Sequence, residues 1–171
     1  MHDTPGCGGS PGHWTEQTPD DRAAETLAAL GVLREHPKVA GQPVGLLGIS
    51  QGGWVALLTA AASADVDFIV AVSGPGVAPA VQERDRIESE LRAAGSSEAD
   101  VVEALEWIDE RTRRLLAGEA AESVLADQES LADRAWQAVA TEHFDNLVML
   151  RFLAGILGMQ PAAVMTGQLL R

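Results

Sequence analysis

The chain has 171 residues, of which 46% are hydrophobic and 22% charged, and this balance predicts one globular domain with a buried core. Its net charge of −13 argues against nucleic acid or an anionic membrane as a partner, because both repel an acidic surface. One cysteine excludes an internal disulfide, and the first residues lack a basic and apolar leader, so we expect a cytoplasmic protein. No apolar stretch is expected to span a bilayer, since Arg151 interrupts the most apolar region.

The first seventeen residues read as a glycine-rich loop. The segment 8–12 resembles a phosphate cradle, but it lacks the Lys-Ser/Thr pair of a P-loop and no strand precedes it, so we predict no nucleotide or other cofactor. A helix is expected next. Thr18 can cap it, Pro19 suits its first position, and it should end near His36 because Pro37 disfavours helical geometry in the residue before it.

The segment 44–54 is the most informative part of the sequence. The apolar run 44–49 predicts a strand buried on both faces, and the following residues match the G-x-S-x-G pattern of a serine held in a sharp strand-to-helix turn. Gly48 and Gly52 have no Cβ to collide where the residues flanking Ser50 come close together. A helix over 54–62 and a second apolar run over 68–72 complete a parallel βαβ unit.

The segments 44–54 and 66–76, with the glycine-rich loop 6–12, resemble the α/β-hydrolase family, notably its esterase, dienelactone-hydrolase and serine-aminopeptidase-like members. The resemblance implies an α/β protein, with a partial α/β-hydrolase core over 1–79 and a helical lid-like region over 80–171. It implies a serine hydrolase that transfers acyl groups from a small ester, thioester or peptide. Ser50 would be the nucleophile, and the backbone N–H of Gln51 would donate to the oxyanion. No metal is implied.

From residue 78 onward the pattern is helical. We predict helices over 81–94, from about 98, over 123–128, 131–143, 144–157 and 161–170, with Val101, Leu105, Ile108, Leu115 and Leu116 on one apolar side of the second. The region 80–160 could form a lid, or its helices could pack on the flank of the sheet. Likewise Trp107, Trp136 and Phe152 could line an acyl-binding pocket or belong to the core.

The remaining catalytic groups are not evident. The expected order is serine, acid, histidine, and Asp127 or Asp133 followed by His143 satisfies it formally. Neither Asp133 nor His143 follows a strand-like run, so we expect the acid and the base to be missing. The resemblance then implies a fragment that lacks both ends and is inactive on esters by itself. The alternative is a non-catalytic remnant or interaction module that buries its open strand edges in a partner, and a homo-oligomer is compatible with the sequence.

Overall fold

The computed structural model describes residues 3–74 and 76–164. The chain divides into two compact units, Met1–Val77 with Gln160–Arg171, and Ala78–Met159. In its described residues the first unit contains a 3-10 helix, Trp14–Glu16, followed by α1 Pro19–Arg34, β1 Gly45–Ile49, α2 Gln51–Ala62 and β2 Phe68–Val72, and residues 161–164 are also helical. The second unit contains five helices in its described residues: α3 Pro79–Ala93, α4 Glu98–Leu116, α5 Ala121–Ser130, α6 Gln137–Thr141 and α7 Leu147–Leu157.

The two strands of the first unit are parallel, as predicted, and α2 connects them. Their register runs from Gly45 opposite Phe68 to Ile49 opposite Val72. The start of the sheet is fixed by Asp67, whose carboxylate accepts from the Val44 N–H at 2.7 Å and pairs with Arg34 at 2.8 Å. The hydrogen bond from Val44 lowers the pKa of Asp67, and the Arg34 guanidinium adds to that effect.

Among the described residues of the first unit, the sheet is covered on one face only, which corrects the prediction of a strand buried on both faces. Helix α2 packs on one side. The register places five apolar side chains together on the other: Leu47, Ile49, Phe68, Val70 and Val72, called here the apolar sheet face. Leu47 is 68% exposed and Ile49 64% exposed. A continuous apolar run therefore identified the strand but did not reveal what lies over each face.

The outer edge of β1 is also uncovered in the described part of the chain. Val44 C=O accepts from the Asp67 N–H at 2.9 Å, and the Ser50 N–H donates to Val72 C=O at 3.0 Å, so these residues direct their backbone groups toward β2. Because alternate residues of a strand point to opposite edges, the amides of Gly45, Leu47 and Ile49 point away from β2. No described strand pairs with them.

The second unit is a helical cluster with its own core. The core residues come mainly from α3, α4 and α6: Ile87, Leu91, Val101, Ala104, Leu105, Ile108, Trp136 and Ala140. This confirms the predicted apolar side of α4 except at Leu116, which is 54% exposed. Trp107 packs against this core, and Trp136 and Phe152 are buried, so the three aromatic residues are packing residues of this unit.

Several helix bounds differ from the prediction for local reasons. The Thr18 cap and the Pro19 start of α1 are confirmed, and α1 ends at Arg34. Helix α7 begins at Leu147 instead of residue 144 because the Asn146 side chain accepts from the Met149 N–H and caps it. Within 131–143 only Gln137–Thr141 is helical. Of the predicted last helix, residues 161–164 are helical and the remainder lies outside the described residues.

Within residues 3–74 and 76–164 one stretch, Leu147–Val164, is long and apolar enough to cross a membrane by length and composition, with a mean hydropathy of 1.6. The expectation that no stretch qualifies is therefore wrong on that criterion. In the structure, α7 ends at Leu157, and the chain leaves helical geometry before residue 161. Leu150, Leu153 and Leu157 are buried, and 33% of the stretch is buried inside the structure.

A fully buried arginine lies in the second unit. Arg111 is 0% exposed; its Nη2 donates to Glu83 Oε1 at 3.0 Å and its Nη1 to Gln128 Oε1 at 3.3 Å. The guanidinium carbon lies 5.5 Å from the centre of the Phe144 ring. Burial lowers the pKa of Arg111 and the Glu83 carboxylate opposes that shift, so the charge at this site depends on one ion pair.

We expect Glu83→Gln to lower the free energy of unfolding by about 3 kcal/mol, because it leaves the Arg111 charge buried without a counter-ion. The matched control is Glu90→Gln on the same helix, where an exposed carboxylate pairs with Arg86. That variant should cost no more than about 1 kcal/mol. Urea unfolding followed by circular dichroism measures both, and equal losses in the two variants would contradict the assignment.

Candidate active site

Ser50 alone separates β1 from α2. Its backbone has φ 52° and ψ −124°, a conformation that residues with a side chain rarely adopt. Its N–H donates to Val72 C=O at 3.0 Å and its C=O accepts from the Gly53 N–H at 2.9 Å. Both backbone groups are therefore held, one by the neighbouring strand and one by the first helical turn, and together they maintain the strained bend. The Ser50 side chain is exposed and makes no capping hydrogen bond.

Gly48 is required by the bend. A Cβ at this position would lie 2.1 Å from the carbonyl oxygen of Gly52, far inside any tolerable contact. The steric reason expected for Gly52 is wrong, because a Cβ built there meets nothing within 4 Å. The two positions are therefore close together, but only residue 48 must lack a Cβ, because the backbone of Gly52 occupies the space where that atom would lie.

Two further glycines at the site went unnoticed in the sequence. A Cβ on Gly53 would lie 3.1 Å from Gly74 Cα, and a Cβ on Gly74 would lie 3.7 Å from Ser50 C=O. The first turn of α2 therefore packs closely on the residues that follow β2. The available signal was the doubled glycine after Gln51 and the Ser-Gly pair after the second apolar run.

Ser73 was also missed as a special position. It has φ 51°, and among the described residues it and Ser50 are the two non-glycine residues with positive φ. The last paired residues of the sheet are Ile49 and Val72, so the two serines are neighbours at the carboxyl ends of adjacent strands.

Gln51 is the first residue of α2, and its backbone N–H has no acceptor among the described residues. The first N–H groups of a helix lack intrahelical partners and carry a partial positive charge. Such a group next to the serine hydroxyl can donate a hydrogen bond to an oxygen that becomes negatively charged when the hydroxyl attacks a carbonyl.

The described acids and histidines form no catalytic pair with one another. Asp127 pairs with Arg114 at 2.7 Å and Asp133 lies 3.9 Å from Arg134, while His143 is exposed in the turn after α6. No hydrogen bond or ion pair of the described residues joins His143 to either aspartate.

The other two described histidines lie in the unit of Ser50 but make local contacts. The Nδ1 of His13 lies 2.7 Å from Thr15 Oγ1, and the Nδ1 of His36 accepts from the Lys38 N–H at 3.3 Å. Neither one bonds to Ser50. Residues 3–74 and 76–164 also contain no cluster of three or more acids, histidines or cysteines that could hold a metal ion.

A cavity of about 850 Å³ lies beside the uncovered edge of β1. Its walls come mainly from α1, β1 and α2 and are mostly apolar, and Arg22, Thr26 and, from the N-terminal loop, Thr4 are the polar side chains. Gly52 lines it and Ser50 does not. The serine hydroxyl and this cavity are therefore separate features of the first unit.

We expect Gly48→Ala to destabilise the chain by about 1–3 kcal/mol, because the added methyl group must displace the Gly52 carbonyl. Gly52→Ala is the matched control. It adds the same group to open space within a helix, where alanine is favoured over glycine by up to about 1 kcal/mol. Urea unfolding of both variants should give opposite signs, and a loss of equal size in each would contradict this account of the bend.

A comparison with family models agrees with this geometry. The model described as the Alpha/beta hydrolase family matches residues 1–168, nearly the whole chain. No curated protein and no solved structure matches the chain significantly. Strand, strained serine and helix occur here in the arrangement of a nucleophile elbow, and the match extends far beyond that motif. The chain belongs to the alpha/beta hydrolase family.

Proposed function

We propose that this chain carries the nucleophile of a serine hydrolase that acts by acyl transfer on an ester, thioester or amide. The observation that carries the proposal is the backbone of Ser50, which is held at φ 52° between a strand and a helix with its side chain exposed. Backbone strain of this kind is typical of functional positions, because a serine in an ordinary turn would not need it.

The first chemical step is attack by Ser50 Oγ on the carbonyl carbon. The Oγ–C bond forms, the hydroxyl proton passes to a base, and the carbonyl oxygen takes the electron pair and becomes an oxyanion. The N–H of Gln51 donates to that oxyanion. Collapse of the intermediate expels the alcohol, thiol or amine, which takes up a proton, and leaves an acyl group on Ser50. Water then attacks the acyl-enzyme in the same manner, releasing the carboxylic acid and restoring the hydroxyl.

The described residues supply the nucleophile and one oxyanion donor, but no histidine that bonds to the serine. A serine hydroxyl without an adjacent base is a weak nucleophile. In a serine hydrolase, loss of the base lowers kcat by a factor on the order of 10⁶. The preorganised donor and the exposed hydroxyl still favour reaction with a strong electrophile.

We expect a fluorophosphonate probe at high concentration to label the purified chain at Ser50, slowly because no described base activates the hydroxyl, and mass spectrometry of the modified peptide measures it. Ser50→Ala should abolish the labelling. The control Ser63→Ala, at a serine that bonds to Asp65 after α2, should leave it unchanged. The same preparation should hydrolyse a p-nitrophenyl ester only marginally. Labelling that persists in the Ser50 variant, or robust Ser50-dependent turnover, would contradict the respective part of the proposal.

A second candidate function is a non-catalytic interaction module that buries its apolar sheet face in a second copy of the chain. The observation that favours it is the exposure of that face, since exposed contiguous apolar surface on a folded protein marks interaction sites. The neighbouring edge of β1 adds unpaired backbone groups.

This candidate predicts a discrete dimer in sedimentation velocity that Leu47→Lys dissociates, because the lysine would place a charge in the buried interface. Val102→Lys, at a 53% exposed valine of α4, is the matched control and should leave the dimer intact. A monomer at all concentrations would eliminate this candidate.

A further inference from the structure

Ser73 has a backbone conformation that glycine would adopt without steric cost. Its φ of 51° lies in the left-handed region, where a Cβ is unfavourable. The residue follows β2 directly and precedes Gly74, so the chain leaves the sheet through a serine although glycine is the residue that this geometry favours. A strained non-glycine residue of this kind indicates that the side chain itself has a use.

The position of Ser73 suggests what that use is. Ser50 and Ser73 each follow the last residue of a paired strand, and neighbouring strands lie about 5 Å apart. The hydrogen bond from the Ser50 N–H to Val72 C=O, at 3.0 Å, ties the two strand ends together. The close packing of Gly53 against Gly74 holds the segment after β2 against the first turn of α2. Ser73 is thus fixed beside the nucleophile.

The hydroxyl of Ser73 is available for a ligand. The residue is exposed, and no hydrogen bond of its side chain occurs among the described residues. By contrast, Ser63, Ser97 and Ser130 use their hydroxyl groups in local hydrogen bonds that shape turns and caps. Neither a cap nor a turn contact accounts for the serine at position 73.

We propose that Ser73 is a substrate-contacting residue of the same site, whose hydroxyl donates a hydrogen bond to an oxygen of the acyl compound that Ser50 attacks. This inference rests on the proposed function, because it needs a substrate at Ser50. It gives the site a second donor that comes from the strand next to β1, whereas the Gln51 N–H comes from the helix. Two donors on different elements fix the orientation of a carbonyl or phosphonyl group better than one.

The decisive variant is Ser73→Gly, which removes the hydroxyl and relieves the backbone strain together. The rate of fluorophosphonate labelling at Ser50 is measured in the full chain; in that reaction the Oγ–P bond forms, the P–F bond breaks, and the hydroxyl proton leaves with fluoride. We expect a rate about 3- to 10-fold lower, the usual effect of one lost uncharged hydrogen bond, together with an unchanged or higher melting temperature. If Ser73 had a purely structural role, the labelling rate and the melting temperature would not change independently of each other in this variant.

Ser73→Ala completes the test, because it removes the hydroxyl and keeps the strain. It should lower the labelling rate as much as Ser73→Gly while melting at a lower temperature than that variant. An unchanged rate in Ser73→Gly would overturn this inference and leave Ser50 as the nucleophile. A fall in both rate and melting temperature in Ser73→Gly would assign the hydroxyl to the fold and overturn it as well. If the unsubstituted chain is not labelled at Ser50, the proposed function fails and this inference fails with it.

Discussion

The bend at Ser50 depends on two hydrogen bonds made by one residue's backbone. Its N–H is held by Val72 at the end of β2, and its C=O is held by Gly53 in the first turn of α2. If either bond were absent, the residue could relax out of its positive φ and its side chain would turn away. The absence of a Cβ at Gly48 lets the strand reach the helix closely enough for both bonds to form. The geometry of the site is therefore a property of the whole βαβ unit.

The second unit is organised by a different constraint, a buried charge. Most of its ion pairs are exposed and contribute little to stability, but Arg111 is fully buried and is held by Glu83 from α3 and Gln128 from α5. These contacts join three helices at one point. In an apolar core such as that around Trp136, one apolar contact can replace another. A buried guanidinium needs hydrogen-bond acceptors at fixed positions, so it restricts how the neighbouring side chains can be arranged.

The elements that could be predicted from the sequence are those determined locally. The Thr18 cap, the Pro19 start and the strand–serine–helix turn follow from steric and hydrogen-bonding properties of a few adjacent residues. Features that depend on distant parts of the chain were missed. The burial of both sheet faces was predicted from β1 alone and is wrong, because the covering of a face depends on other elements. Helical periodicity also placed Leu116 on the apolar side although it is exposed.

The same reason explains why Ser73, Gly53 and Gly74 were not predicted from the sequence as part of the candidate site. A serine before a glycine, as in Ser73-Gly74, is common in loops, and its importance becomes visible only when the strand register places it beside Ser50. Gly53 likewise looks like an ordinary helix glycine until Gly74 is seen against it. A sequence motif identifies residues that are close to one another along the chain. These residues are distant along the chain and are brought together by the pairing of β1 with β2.

The uncovered edge of β1 has a consequence for the way this strand exchanges its amide protons. Amides directed toward β2 are shielded by the neighbouring strand, whereas those of Gly45, Leu47 and Ile49 face outward without a partner strand among the described residues. Deuterium should therefore enter β1 in an alternating pattern, fast at every second residue, and the slow positions would report the opening of the sheet itself.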